Sequence, residues 1–111
     1  METPALVPLE EFKKLQLKVA EIESVSAHPN ADRLYVLGIK IGENRKTIVA
    51  GIRPFYSEDQ LKGKKIVVVD NLSPATLRGV ESQGMLLAAS LGDQLTLIVP
   101  ESQIPDGATV R

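Results

Sequence analysis

The run Leu15–Val25 constrains the fold more than any other stretch. Leu15, Leu17 and Val19 alternate with polar residues, and then the phase shifts to Ile22. A period of two predicts a half-buried strand. The phase shift predicts a bulge or strong bend at Ala20–Glu21, as in one strand that serves two sides of a small barrel.

Short apolar runs follow at regular intervals. Leu34–Ile41 and Lys46–Gly51 read as the second and third strands, with a hairpin turn at Gly42–Arg45 between them. Pro54–Leu61 reads as a short helix, with Ser57 as a candidate cap and Gly63 as the terminating glycine. Lys65–Asp70, Gln83–Ala89 and Leu95–Val99 read as the fourth, fifth and sixth strands. Ahead of them, Met1–Pro8 reads as an arm, and Leu9–Lys14 as a helical turn with acids first and lysines last. Phe12 and Leu15 are expected to face inward. His28–Arg33 is a turn: Pro29 pushes His28 toward extended geometry, and Asn30 and Asp32 turn the backbone. Short strands with one helix between the third and fourth predict an all-β protein, an OB-fold five-stranded barrel with terminal extensions. The 111 residues suit a single domain spanning 1–111, with a core over about 12–90 and a C-terminal extension over 91–111.

Composition removes several classes of chemistry. Without cysteine there is neither a disulfide nor a thiolate metal site, and the lone His28 cannot pair with another histidine for zinc. The N-terminus lacks the basic and apolar regions of a signal peptide. No apolar run approaches the ~20 residues of a membrane span. The expectation is a cytoplasmic protein with no membrane, metal or cofactor. Gly79–Gly84 puts Ser82 one position too late for a nucleophile elbow, and no Walker or Gly-x-Gly-x-x-Gly run occurs. Glu10-Glu11 and Glu58-Asp59 sit on helical turns, where solvated caps are more common than acid/base pairs. No catalytic residues are expected, and the chain does not read as an enzyme.

Binding is the remaining class. Net charge is −1, which by itself speaks against a nucleic-acid partner. The distribution speaks otherwise: Ser24–Arg78 holds nine bases against five acids, leaving the ends acidic. Arg33, Lys40, Arg53 and Arg78 are candidate phosphate ligands, because a guanidinium can grip phosphate and stack on a base. Asn71–Ser90 is a polar stretch between two apolar strands. Within it Asn71 either reads a base edge or caps its own turn. Ser82 and Gln83 offer small polar groups, and Met85 either fills the core or packs on a base. The few aromatics, Phe12, Tyr35, Phe55 and Tyr56, do not supply a row of stacking rings. A folded RNA recognised by shape fits better than an extended strand.

His28–Tyr35, Ile48–Gly51, Asn71–Pro74 and Leu77–Ala89 together resemble the tRNA-binding domain family, in family order and from about Phe12 to the C-terminus. That family includes the C-terminal domain of methionyl-tRNA synthetases and stand-alone dimeric tRNA-binding proteins. The resemblance implies non-catalytic tRNA binding near the outer corner of the L, in aid of a methionyl-tRNA synthetase. It implies that Ser82 and Met85 are the RNA-contacting pair, with Arg33, Asn71 and Arg78 on the same face. It also implies a homodimer joined through the chain ends, where Leu6, Val7, Leu9, Ile104 and Val110 are apolar. One departure stands out: Ser73, Ala75 and Thr76 occupy positions where the family often carries bases. Fewer phosphate contacts mean a shallower dependence on salt. A secretion-chaperone or protein-interaction module on the same OB-fold is the alternative, supported by the acidic ends.

Overall fold

The computed structural model describes residues 4–111. The first three residues of the arm expected over Met1–Pro8 lie outside them. A short turn of helix, α1 (Leu9–Phe12), leads into β1 (Leu17–Ala27). β2 (Tyr35–Ile41), β3 (Asn44–Ala50), α2 (Glu58–Leu61) and β4 (Lys65–Val69) follow. The polar stretch then folds as a small hairpin, β5 (Ala75–Leu77) with β6 (Val80–Ser82). After it come β7 (Met85–Leu86), a second hairpin of β8 (Ala88–Leu91) and β9 (Gln94–Leu97), and a last strand, β10 (Thr109–Val110).

The main sheet is antiparallel, in the order β3-β2-β1-β4-β7, with β10 added beside β1. Its centre is the strand that the sequence singles out. The first half of β1 pairs with β4, from Leu17↔Val69 to Glu21↔Lys65. The second half pairs with β2, ending at Ala27↔Tyr35. The register shift lies between Ile22 and Ser24, not at Ala20–Glu21. The earlier change of phase has another cause. Ala20 and Ile22 face the barrel interior, whereas Leu17 lies in an outer layer under Val110 and Leu87. The curled sheet, with α2 between the third and fourth strands, is an OB-type barrel.

Both faces of β4 are covered, which accounts for its unbroken apolar run. Ile66 and Val68 point into the barrel, and Val67 and Val69 join the outer layer. Ile22, Leu37, Ile39, Ile48, Leu61, Ile66 and Val68 are fully buried, each contributing about 2 kcal/mol of transfer free energy. Leu61 seals the barrel from α2, which is only four residues long. Its start is fixed by a capping box: Ser57 Oγ accepts from Gln60 N, and Gln60 Oε1 accepts from Ser57 N. Phe12 and Leu15 do not face inward; they are 42% and 46% exposed, because α1 sits outside the barrel and buries nothing.

The residues 98–111 return across the sheet. Asp106 accepts from Lys40 Nζ at 2.9 Å and from the Gly42 backbone N–H at 2.6 Å. Gly107 packs on Gly42 so closely that a Cβ on it would lie 3.1 Å from the Gly42 Cα. Both glycines have positive φ, so neither position suits a side chain.

Candidate nucleic-acid interface

The turn between β1 and β2 and the β5–β6 hairpin are bolted together. His28 is buried, 4% exposed, and its ring bonds to both elements. Nδ1 accepts the Asn30 backbone N–H at 2.9 Å, and Nε2 lies 2.9 Å from the Leu77 carbonyl oxygen. An accepting Nδ1 puts the proton on Nε2, so the neutral ring donates to Leu77. A second tie runs the other way: Arg78 Nη2 donates to the Asn30 carbonyl at 3.1 Å. Arg78 and Gly79 are the central residues of the hairpin, with φ of 53° and 92°. Positive φ at both positions is the type I′ turn that two-residue hairpins prefer.

Arginines gather at this end of the barrel. Arg33 is exposed in the β1–β2 turn. The pair Tyr35↔Ala50 brings the start of β2 beside the end of β3. Gly51 consequently packs near Leu34, and the half-buried Arg53 follows two residues later. The turns that carry Arg33, Arg53 and Arg78 thus lie at the same end of the barrel.

The other sequence candidates are occupied elsewhere. Lys40 is at the far end of β2, paired with Asp106 at 2.9 Å. The Lys40 ammonium, backed by the Gly42 N–H, holds the Asp106 carboxyl below the usual carboxylate range despite its burial. Asn71 is exposed, and its amide is engaged within the protein on both sides, away from its own turn. Its Oδ1 accepts from Gln16 N at 2.7 Å and its Nδ2 donates to the Lys14 carbonyl at 2.6 Å, clamping the N-terminal segment to the end of β4.

Ser82 and Gln83 close the barrel. β3 is a terminal strand of the main sheet, and its free edge meets no continuous ladder. Gln83 takes that place: its Oε1 accepts from Thr47 N at 2.9 Å, and its backbone N donates to the Thr47 carbonyl at 2.8 Å. Ser82 Oγ accepts from Val49 N and donates to the Gly84 carbonyl, both at 2.9 Å. Ser82 is only 5% exposed. At the start of the seam, Lys46 Nζ donates to the Asp70 carbonyl and pairs with its carboxylate, each at 2.8 Å. Met85 differs from these: it is 47% exposed on β7, beside Val69.

The outer face of β1, β2 and β3 is a shallow groove of about 270 Å³ lined by Ser24, Gly38, Thr47 and Gln83, among others. Arg45 at its edge is held by Glu23 at 2.9 Å. Small polar side chains and internally paired charges make a surface on which a ligand can lie flat.

The sequence profile of the tRNA binding domain family matches residues 17–109. The chain belongs to this family. Within the tRNA binding domain family it is 46% identical over 105 residues to the methionine–tRNA ligase of Pyrococcus horikoshii, a match covering 95% of this chain. The chain spans only 14% of that ligase's length. A methionyl-tRNA synthetase-related protein of the same organism superposes with a TM-score of 0.91 at 36% identity, covering 97% of this chain and all of that one. The chaperone CsaA of Bacillus anthracis superposes with a TM-score of 0.87 at 26% identity, covering 96% of this chain and all of that one. These neighbours share the barrel. Against this family background, His28 and Asn30 are the residues that sequence reasoning passed over. His28 entered there as a turn residue, as the start of the His28–Tyr35 motif and as a lone histidine that excludes zinc; nothing in its local sequence signals a partner 49 positions away.

Proposed function

We propose that this chain is a non-catalytic module, acting as one unit over 1–111, that binds folded tRNA by shape and helps a methionyl-tRNA synthetase hold it in the cytoplasm. The observation that carries the reading is the clasp of the β1–β2 turn on the β5–β6 hairpin, which ties Arg78 to the turn that carries Arg33; Arg53 follows the end of β3 that lies beside the start of β2. Guanidinium groups at a rim grip phosphates without reading sequence. Met85, exposed at the end of the barrel, packs against a ribose or base. Ser82, Gln83 and Asn71 support the surface from behind through the bonds described above. Family membership and the synthetase relatives support the choice of tRNA.

The test is a titration with full-length tRNAs of several identities, an isolated minihelix and an unstructured RNA. Similar affinity for all tRNAs, with weaker binding of the other two, is the expected result. Equal binding of tRNA and unstructured RNA would remove the shape-specific reading.

The same module acts as a homodimer in this proposal. Leu9 is 62% exposed, and a groove of about 320 Å³ lined by Phe12, Leu15, Leu17 and Val110 lies open beside β10. A partner's chain ends would cover these surfaces. The likeness to the chaperone CsaA favours a second reading, a chaperone or protein-interaction module. Binding of unfolded polypeptide in preference to tRNA would establish it.

A further inference from the structure

We propose that His28 is a positioning residue for RNA recognition, whose imidazole latches the β5–β6 hairpin to the β1–β2 turn and sets the spacing of Arg33 and Arg78. The inference rests on the tRNA-binding reading above. His28 is buried, and among the described residues no group of three side chains is arranged to hold a metal. Its two nitrogens do separate jobs. Nδ1 braces its own turn through Asn30, two residues on. Nε2–H crosses to Leu77, 49 residues away.

The crossing bond matters because little else restrains the hairpin tip. β5 is exposed along its whole length, and the hairpin shares no strand ladder with the main sheet, meeting it through β6 against β3. Its base is fixed to β3 by Ser82. Its tip is tied by the Leu77 and Arg78 bonds to the turn. The two ties run in opposite directions between neighbouring residues, so each holds the other in register.

Arg78 adds a second observation. Its φ of 53° is the only positive value at a non-glycine among the described residues. A long side chain at that position costs more than the Asn, Asp or Gly that type I′ turns favour. Such strain persists where the surroundings over-determine it, and it clusters where a side chain must be aimed. Here the guanidinium is exposed, and among the described residues its one hydrogen bond within the protein is from Nη2 to the Asn30 carbonyl.

Two substitutions separate the two nitrogens. In His28→Asn the Oδ1 stands in for Nδ1, so the brace to Asn30 survives and the latch is cut. In His28→Gln the side-chain amide nitrogen reaches the position of Nε2, so the latch survives and the brace is lost. Each variant gives up one hydrogen bond, so melting temperatures fall alike. tRNA affinity does not: His28→Asn weakens it roughly three- to tenfold, the worth of one hydrogen bond, and His28→Gln stays within about twofold. In an Arg78→Ala background His28→Asn adds nothing further, as expected of coupled residues. Equal losses in Asn and Gln, or additive losses with Arg78→Ala, would overturn the latch. Loss in Arg78→Ala without loss in His28→Asn would overturn the latch alone. Unchanged affinity in Arg33→Ala and Arg78→Ala would overturn the interface, and the latch with it.

Discussion

Ser82→Ala distinguishes a residue that touches RNA from one that closes the barrel. The hydroxyl accepts from the Val49 N–H and donates to the Gly84 carbonyl, both at 2.9 Å, and Ser82 and Val49 are 5% and 8% exposed. Alanine leaves a buried donor and a carbonyl unpaired, with no room opened for water. Orphaning one buried polar group costs 1–3 kcal/mol, and the donor is the costlier of the two, so the loss is about 2 kcal/mol. In a chain of this size that lowers the melting temperature by about 8 °C. With a urea m-value of about 2 kcal/mol/M it lowers the midpoint by about 1 M. Thermal and urea unfolding measure both, with Ser90→Ala as the control, since Ser90 is exposed on β8. tRNA affinity measured well below the melting temperature stays within about threefold, because the hydroxyl is turned to the seam. A loss below about 0.5 kcal/mol, the range of an ordinary surface substitution, would refute the seam argument. If such a stable variant also lost tRNA binding, Ser82 would be a direct contact, as the family resemblance implies.

Three further outcomes follow from the geometry. Arg33→Ala, Arg53→Ala and Arg78→Ala each weaken tRNA binding and reduce the salt slope by about 1, whereas Lys40→Ala leaves the slope unchanged and lowers stability through Asp106; titrations at several salt concentrations check this. The Asp106 carboxyl is held below its ordinary range by Lys40, so its contribution is complete above about pH 4 and is lost as pH falls through the folded value. Asp106→Asn is therefore less stable than the parent at pH 7 and converges with it in acid, as urea unfolding at the two pH values will show. Sedimentation of the parent gives twice the 12.0 kDa chain mass, and Leu9→Asp returns the 12.0 kDa species; a 12.0 kDa parent would refute the dimer.

The barrel was legible because its signals are local. The alternation in β1, the apolar run of β4 and the single helix after three strands each state a burial pattern within one segment. The bend in β1 was misplaced by about two residues for a reason sequence alone conceals. Leu17 is buried by Val110, from the other end of the chain, so burial on two faces imitated a bulge. The same blindness affected the candidate site. Asn71, Ser82 and Gln83 are polar residues in a loop, which fits recognition and fits closure equally well. Their partners, Gln16, Val49 and Thr47, are 55, 33 and 36 positions distant. Arg33, Arg53 and Arg78 were legible as bases, but the nearness of the turns that carry them depends on the His28 bond and the β2–β3 register.

The side-chain seam also bears on how this protein behaves when crowded with copies of itself. β3 is an outermost strand, and such strands invite pairing with the exposed strand of a neighbour. Here Thr47 and Val49 offer no free N–H, because Gln83 and Ser82 have taken them with an amide and a hydroxyl. A side chain satisfies the donor and presents no further ladder, so strand-on-strand growth stops there. The residues that finish the barrel therefore also keep its margin from seeding aggregates.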